Sequence, residues 1–93
     1  MITNTLLIKL KDQKNIDQAK STLLSMKGNI DVLRDVQVEK NIRPGPSAYD
    51  ILLVTHFSSI EDMNAYLIHP FHVEVSKYIA GVVETSASVC YEK

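Results

Sequence analysis

The chain has 93 residues, of which 45% are hydrophobic and 23% are charged, and its formal net charge at pH 7 is -1. This composition is typical of one globular domain and not of a disordered protein, and the balanced charge excludes the strongly basic surface of many nucleic-acid-binding proteins. The single cysteine, Cys90, excludes an intrachain disulfide and a four-cysteine zinc site.

No apolar run approaches the length of a membrane-spanning helix, and the first residues lack the pattern of a secretion signal. Met1 is followed directly by a strand pattern. We therefore expect a cytoplasmic protein that contacts neither membranes nor nucleic acids.

The first predicted element is a strand from Ile2 to Leu10, where apolar residues recur at every second position. Asn4 lies on the apolar face of this strand, beside Leu6 and Ile8. A buried amide without a partner costs about 1–3 kcal/mol, so Asn4 should bond another polar group or line a wet pocket.

A polar loop at 11–15 leads into the first predicted helix, for which Asn15 is a suitable N-cap. Apolar residues then recur at helical spacing, namely Ile16, Ala19, Leu23 and Met26. Gly28 is typical of a residue that follows the end of a helix.

Two strands joined by a turn come next. The second strand is predicted at 32–42, the Gly/Pro-rich turn at 43–47 and the third strand at Tyr49 to Phe57. The third strand is apolar on both faces at its centre, with Leu52 and Val54 opposite the face of Ile51 and Leu53. Such a strand needs cover on both sides.

A helix follows, for which Ser58 and Glu61 have the spacing of a capping box. Pro70 breaks this helix and is well placed as the first residue of a new one, with His69 as its N-cap. The new helix is predicted to run to about Ala80 and to end at Gly81. A last strand, alternating from Val83 to Tyr91, completes the chain.

The order β-α-β-β-α-β predicts an α+β, ferredoxin-like domain over residues 1–93, with a four-stranded antiparallel sheet and helices on one face. The helices are too few to cover both faces. The uncovered face is predicted to carry Leu7, Leu33, Leu52 and Val54, with Cys90 also pointing towards it. We therefore predict a homodimer through the sheet face opposite the helices, forming a dimeric α/β barrel.

Several segments together resemble the stress-responsive dimeric A/B barrel domain family. They are Ile8–Asp12, Tyr49-Asp50, Phe57–Asp62, Ala65-Tyr66, His69-Pro70 and His72. The resemblance covers nearly the whole chain and implies a ferredoxin-like protomer whose sheet packs on the sheet of its partner.

The family includes a plant polyketide cyclase, and the resemblance implies roles for two residues. The histidine matching His72 is the general base of that enzyme, and the tyrosine matching Tyr66 positions or polarises the substrate. The chain departs from its relatives at two positions, since Asn4 and Ile51 stand where histidines occur in the family.

The resulting candidate site lies between the sheet and the helices. We expect His72 and Tyr66 to be its catalytic residues. The expected ligand-binding residues are Asn4, Leu6, Ile8, Ile51, Leu53, Leu67 and His69. No cofactor is expected, and no metal, because the His69-x-x-His72 pair lacks the third ligand that a zinc site needs.

Three functions remain open at this point. The first is a module that binds a small apolar or aromatic ligand. The second is an enzyme of the cyclase or cofactor-independent oxygenase kind, with His72 as general base. The third is a structural dimeriser whose interior is filled by its own side chains, and an open pocket reaching His72 would exclude it.

Overall fold

The computed structural model describes all residues from Met1 to Lys93 and has the order β-α-β-β-α-α-β. The strands are β1 (Ile2–Leu10), β2 (Asp35–Lys40), β3 (Ile51–Phe57) and β4 (Val83–Glu92). The helices are α1 (Ile16–Leu24), α2 (Ile60–Ile68) and α3 (Pro70–Val82), and a short 3-10 turn at Gln13–Asn15 precedes α1. None of these helices has the length and apolar character needed to cross a membrane.

The four strands form one antiparallel sheet in the order β2-β3-β1-β4. This is the predicted ferredoxin-like topology, in which the two central strands are the first and third of the chain. In the register of β1 and β3, Asn4 lies opposite Thr55 and Leu6 lies opposite Leu53. The even-numbered residues of β1 therefore share one face with the odd-numbered residues of β3.

That face packs against the helices and contains the hydrophobic core. Ile8, Ile51 and Phe57 are almost completely buried there beneath the helices, and the ring of Phe57 packs against Tyr66 of α2. The helices contribute Ala19, Leu23, Tyr66 and Val75 to this core. The predicted apolar stripe of α1 is thus confirmed, whereas α2 buries Tyr66 and leaves Ile60 and Leu67 exposed.

A buried carboxylate links the end of β1 to the start of β3 through hydrogen bonds. Asp50 accepts a hydrogen bond from the backbone N–H of Leu10 at 2.7 Å and another from the Gln13 amide at 3.0 Å. Its own N–H donates to the carbonyl of Ile8 at 2.8 Å. Asp50 therefore satisfies backbone groups at the point where the regular ladder ends.

A register shift between Lys9 and Leu10 changes which residues of β4 face the helices. Val83 lies opposite Leu10, but Thr85 lies opposite Lys9, so one extra residue is inserted into β4. The predicted orientation of Cys90 is therefore wrong. Cys90 lies opposite Asn4 on the helix-covered face, and its thiol lies 3.6 Å from the sulfur of Met63.

The same shift places apolar β4 residues on the face that no helix covers. We call this surface the open face, and it is formed by residues of all four strands. Its apolar members are Leu7, Leu52, Val54, Ala87, Val89 and Tyr91. Val89 remains 65% exposed in the single chain. Contiguous apolar surfaces that stay exposed on a monomer often mark interaction sites. Leu33, which was predicted to lie here, is instead part of the core.

Several element boundaries differ from the predicted ones. Ser59, not Ser58, caps α2, because its side chain accepts a hydrogen bond from the N–H of Asp62. Asn15 makes no side-chain cap. The second strand is shorter than predicted, and α3 continues through Gly81 to Val82. Gly28 has a φ of 82°, which explains why a glycine follows α1 there.

Candidate functional site

A cavity of about 290 Å³ lies between the sheet, α1, α2 and α3. Fifteen residues line it, eleven of them hydrophobic, and none of them carries a formal charge at neutral pH when His72 is neutral. The lining residues are Asn4, Leu6, Ile8, Leu23, Met26, Leu53, Tyr66, Leu67, His72, Val75, Ser76, Ile79, Ala80, Val83 and Ser86. The cavity is thus an apolar chamber with a few polar groups.

Seven of the nine residues predicted for the site line this cavity. They are Asn4, Leu6, Ile8, Leu53, Tyr66, Leu67 and His72. Ile51 lies outside it, although it pairs with the cavity residue Ile8, because its side chain is almost completely buried in the hydrophobic core. His69 also lies outside, because its ring is used to cap a helix.

The break between α2 and α3 sets the position of His72. His69 has extended backbone angles, with φ -63° and ψ 134°, and its Nδ1 accepts a hydrogen bond from the N–H of Phe71 at 3.1 Å. Pro70 occupies the first turn of α3, where its missing N–H leaves no bond unmade. His69 is thus the predicted N-cap, and α3 starts in a direction that turns His72 back towards α2.

His72 is held by hydrogen bonds on both ring nitrogens. Nδ1 lies 3.0 Å from the carbonyl oxygen of Leu67, and Nε2 lies 3.3 Å from the hydroxyl of Ser76. Burial lowers the pKa of His72 below its ordinary value of 6.5; the bond to Leu67 opposes this shift, and the nearby His69 adds to it. The ring is therefore neutral at pH 7.

Tyr66 lies beneath His72 and is almost fully buried. Its ring centroid is 4.2 Å from that of His72 and 4.9 Å from that of Phe57. Its hydroxyl donates only to the sulfur of Met26, at 3.7 Å, which is a weak acceptor. Burial raises the pKa of Tyr66 to about 12, so the phenol keeps its proton and is a donor towards the cavity.

Asn4 lies on β1 opposite Thr55 and Cys90, and its side chain faces the cavity. Its backbone carbonyl accepts from the Thr55 hydroxyl at 3.5 Å, whereas the side-chain amide has no bond of its own within the chain. The amide is thus free to donate to or accept from a molecule in the cavity.

Sequence reasoning missed two polar residues of the cavity, Ser76 and Ser86. Ser76 was detectable, because residues four apart on a helix are neighbours and Ser76 follows His72 at that spacing. Ser86 was not detectable, because its orientation depends on the register shift in β4.

No group of three or more histidine, cysteine, aspartate or glutamate side chains lies close enough together to hold a metal ion. The polar groups of the cavity are one imidazole, one phenol, one amide and two hydroxyls. Such a set can accept or donate a proton at His72 and can bond a carbonyl or hydroxyl group, but it offers no charge to balance a charged ligand.

The comparisons with known proteins agree with this fold. A structure from Bacteroides fragilis, described as a dimeric ferredoxin-like protein of unknown function, is 28% identical with a TM-score of 0.86, over 99% of this chain and 95% of that one. An Arabidopsis thaliana protein is 19% identical with a TM-score of 0.85, over 100% and 95% of the two chains. A hydroxynitrile lyase from Passiflora edulis is 15% identical with a TM-score of 0.83, over 97% and 90%.

The latter two similarities show the fold alone, and no curated protein matches the chain at a significant level. A family profile, however, matches almost the entire sequence, from residue 2 to residue 92. That profile describes the Stress responsive A/B Barrel Domain, and it covers every strand and helix on which the cavity is built. The chain belongs to the stress-responsive A/B barrel domain family.

Proposed function

We propose that the protein is a homodimer that binds a small, uncharged and largely apolar molecule in the cavity of each protomer. The observation that carries the proposal is the cavity itself, an apolar chamber of about 290 Å³ into which a few polar side chains converge. Its volume is near the lower end of the range of about 300–1,000 Å³ that is common for small-molecule sites.

The chemistry of the lining supports an uncharged ligand. A carboxylate or ammonium group would lose its hydration on entering, and no charged side chain is present to replace it. A carbonyl or hydroxyl group, by contrast, could bond Asn4, Tyr66 or His72. The ligand is therefore best described as an apolar body, aliphatic or aromatic, with one or two neutral oxygen groups.

The dimer is supported by the open face. Its central residues Leu52 and Val54 are only partly buried in the single chain, and Val89 and Tyr91 of β4 are 65% and 43% exposed. Burying apolar surface against a second copy is favourable by roughly 25 cal/mol per Å². The Bacteroides fragilis relative, which is described as dimeric, has the same fold.

Ligand binding can be tested with a neutral fluorescent probe such as N-phenyl-1-naphthylamine. Ala80 lines the cavity but is exposed, so Ala80→Trp should narrow the entrance without disturbing the core. Ala65 is exposed on α2 and does not line the cavity, so Ala65→Trp is the matched control. We expect the probe to bind the wild type and Ala65→Trp alike and to lose affinity for Ala80→Trp; equal binding to all three would contradict the proposal.

A second candidate is an enzyme of the cyclase or cofactor-independent oxygenase kind, with His72 as general base and Tyr66 and Asn4 holding a carbonyl that gains charge. The observation favouring it is that neutral His72 presents an unprotonated Nε2 within a cavity that also contains a phenol donor. His72→Gln should then abolish turnover of an aromatic or polyketide-like substrate and leave probe binding intact. Probe binding to the cavity would also argue against the third alternative, a structural dimeriser with a filled interior.

A further inference from the structure

Ser76 and His72 form a hydrogen-bonded pair inside the cavity. They lie one helical turn apart on α3, with Ser76 Oγ 3.3 Å from His72 Nε2. Both residues line the cavity and both are partly buried. The pair is thus accessible to any molecule that enters the cavity.

The third member of this arrangement is the carbonyl of Leu67. A carbonyl oxygen can only accept a hydrogen bond, so Nδ1 of His72, 3.0 Å away, carries a proton. The other nitrogen of the neutral ring is then an acceptor, and the Ser76 hydroxyl donates to it. The Leu67 carbonyl thereby selects the tautomer in which His72 can receive the proton of Ser76.

The direction of the Ser76 hydroxyl is informative. A serine within a helix commonly donates to the carbonyl four residues earlier, which leaves its oxygen directed along the helix. Ser76 instead donates to the side chain of the residue four positions earlier. Its proton therefore lies on the path to a base, and its oxygen keeps lone pairs free for attack on a bound molecule.

We propose that Ser76 is a nucleophile, activated by His72 and oriented through the Leu67 carbonyl, and that the protein cleaves small uncharged carboxylic esters. The activity rests on the proposed function, since the ester must first occupy the cavity. The arrangement has the three parts that activated nucleophiles require, namely the nucleophile, the base within hydrogen-bond reach and a group that fixes the tautomer of the base.

The cavity also offers donors for the oxygen that becomes negative during attack. The side-chain amide of Asn4 makes no hydrogen bond within the chain. The phenol of Tyr66 donates only to the sulfur of Met26, and this weak hydrogen bond is the one it would lose by donating to a ligand. Burial keeps the phenol protonated, as its raised pKa indicates. These groups can donate to a tetrahedral oxyanion at little cost in existing hydrogen bonds.

The proposed reaction has two steps, acylation of Ser76 and hydrolysis of the acyl group. Ser76 Oγ bonds to the ester carbonyl carbon as its proton moves to His72 Nε2, and the C–O bond to the leaving group breaks while Nε2 returns the proton to the departing alcohol. Water then attacks the acyl-Ser76 carbonyl, giving its proton to Nε2, and the carboxylic acid leaves as Ser76 regains its proton. The uncharged lining favours the neutral ester over the carboxylate product, which helps the product to leave.

The experiment uses p-nitrophenyl butyrate as substrate and diethyl p-nitrophenyl phosphate as a trap for the nucleophile, on the full chain at neutral pH. We expect p-nitrophenolate release and one diethylphosphoryl group per chain, located on Ser76 by peptide mass spectrometry. Ser76→Ala and His72→Gln should lower release by about 100-fold or more. Ser58→Ala, which removes an exposed hydroxyl outside the cavity, should change neither result.

Ser76→Cys provides a variant that retains a nucleophile, and it should still be acylated by the ester. Binding of N-phenyl-1-naphthylamine is measured on every variant, so that loss of the nucleophile is separated from loss of the cavity. Label on a residue other than Ser76, or release that persists in Ser76→Ala, overturns the ester-cleaving role. Absence of label from a wild type that binds the probe overturns that role and leaves ligand binding standing, whereas absence of both overturns the two proposals together.

Discussion

The rings of Tyr66 and His72 pack with their centroids 4.2 Å apart and their planes at 49°, although Tyr66 belongs to α2 and His72 to α3. In a continuous helix, residues six apart point in different directions, since each residue turns by about 100°. The change of direction at His69 and Pro70 makes the contact possible. The helix break is therefore the feature that assembles the candidate site.

We predict that His69→Ala destabilises the protein by about 1 kcal/mol, because the N–H of Phe71 loses its cap. For a domain of this size the loss corresponds to roughly 4–8 °C in melting temperature. His69→Asn restores a side-chain acceptor and should recover most of the loss. Thermal unfolding of both variants checks the prediction, and equal melting temperatures for the alanine and asparagine variants would refute the capping role.

The sequence allowed this helix break to be predicted, because its signals are local, but it left open whether a cavity exists beside His72. Pro70 restricts the residue before it, and His69 was identified as the N-cap on that basis alone. The placement of Asn4, Leu6 and Ile8 on one face also needed only the period of a strand. The capping box at the start of α2 was misplaced by one residue, because Ser58 and Ser59 are adjacent and either can cap.

The second prediction concerns pH. Burial lowers the pKa of His72 in the folded protein, so below about pH 6.5 the unfolded chain binds a proton more readily than the folded one. The free energy of unfolding should therefore fall as the pH drops from 6.5 through the lowered pKa. The His72→Gln variant has no imidazole at this position, so its free energy of unfolding should fall less over the same pH range. Proton NMR of the His72 ring and urea unfolding at several pH values measure the two effects. A His72 titration midpoint above 6.5 would contradict the prediction.

The third prediction concerns the buried carboxylate of Asp50. Asp50→Ala leaves the N–H of Leu10 without its partner in a buried place and should lower the free energy of unfolding by about 1–3 kcal/mol. Gln13, the other partner of this carboxylate, is exposed, and Gln13→Ala should change the free energy by less than about 0.5 kcal/mol. Urea unfolding of both variants provides the measurement, and similar losses would show that the Leu10 bond is unimportant.

The orientation of β4 could not be predicted from its residues. Val83, Thr85, Ala87, Val89 and Tyr91 alternate regularly, which predicts one continuous face. The inserted residue after Val83 reverses the alternation, and a shift of one residue moves every later side chain to the other face. The bulge arises in the pairing of β4 with β1, which lies at the other end of the chain, so no local pattern of residues marks it.

The last prediction concerns assembly through the open face. The reversed alternation adds Ala87, Val89 and Tyr91 to the apolar surface around Leu52. A lysine at position 52 would have to lose much of its hydration in the centre of the proposed interface, and pairing with its cross-strand neighbour Glu39 would offset that cost only in part. We therefore expect Leu52→Lys to be monomeric in sedimentation velocity at micromolar concentration, where the wild type is a dimer.

The control is Ile68→Lys. Ile68 is 78% exposed at the end of α2, away from the open face. Because the proposed partner does not cover this surface, the same kind of substitution there should leave the dimer intact. A monomeric wild type, or dissociation by both substitutions alike, would show that the open face does not form the interface.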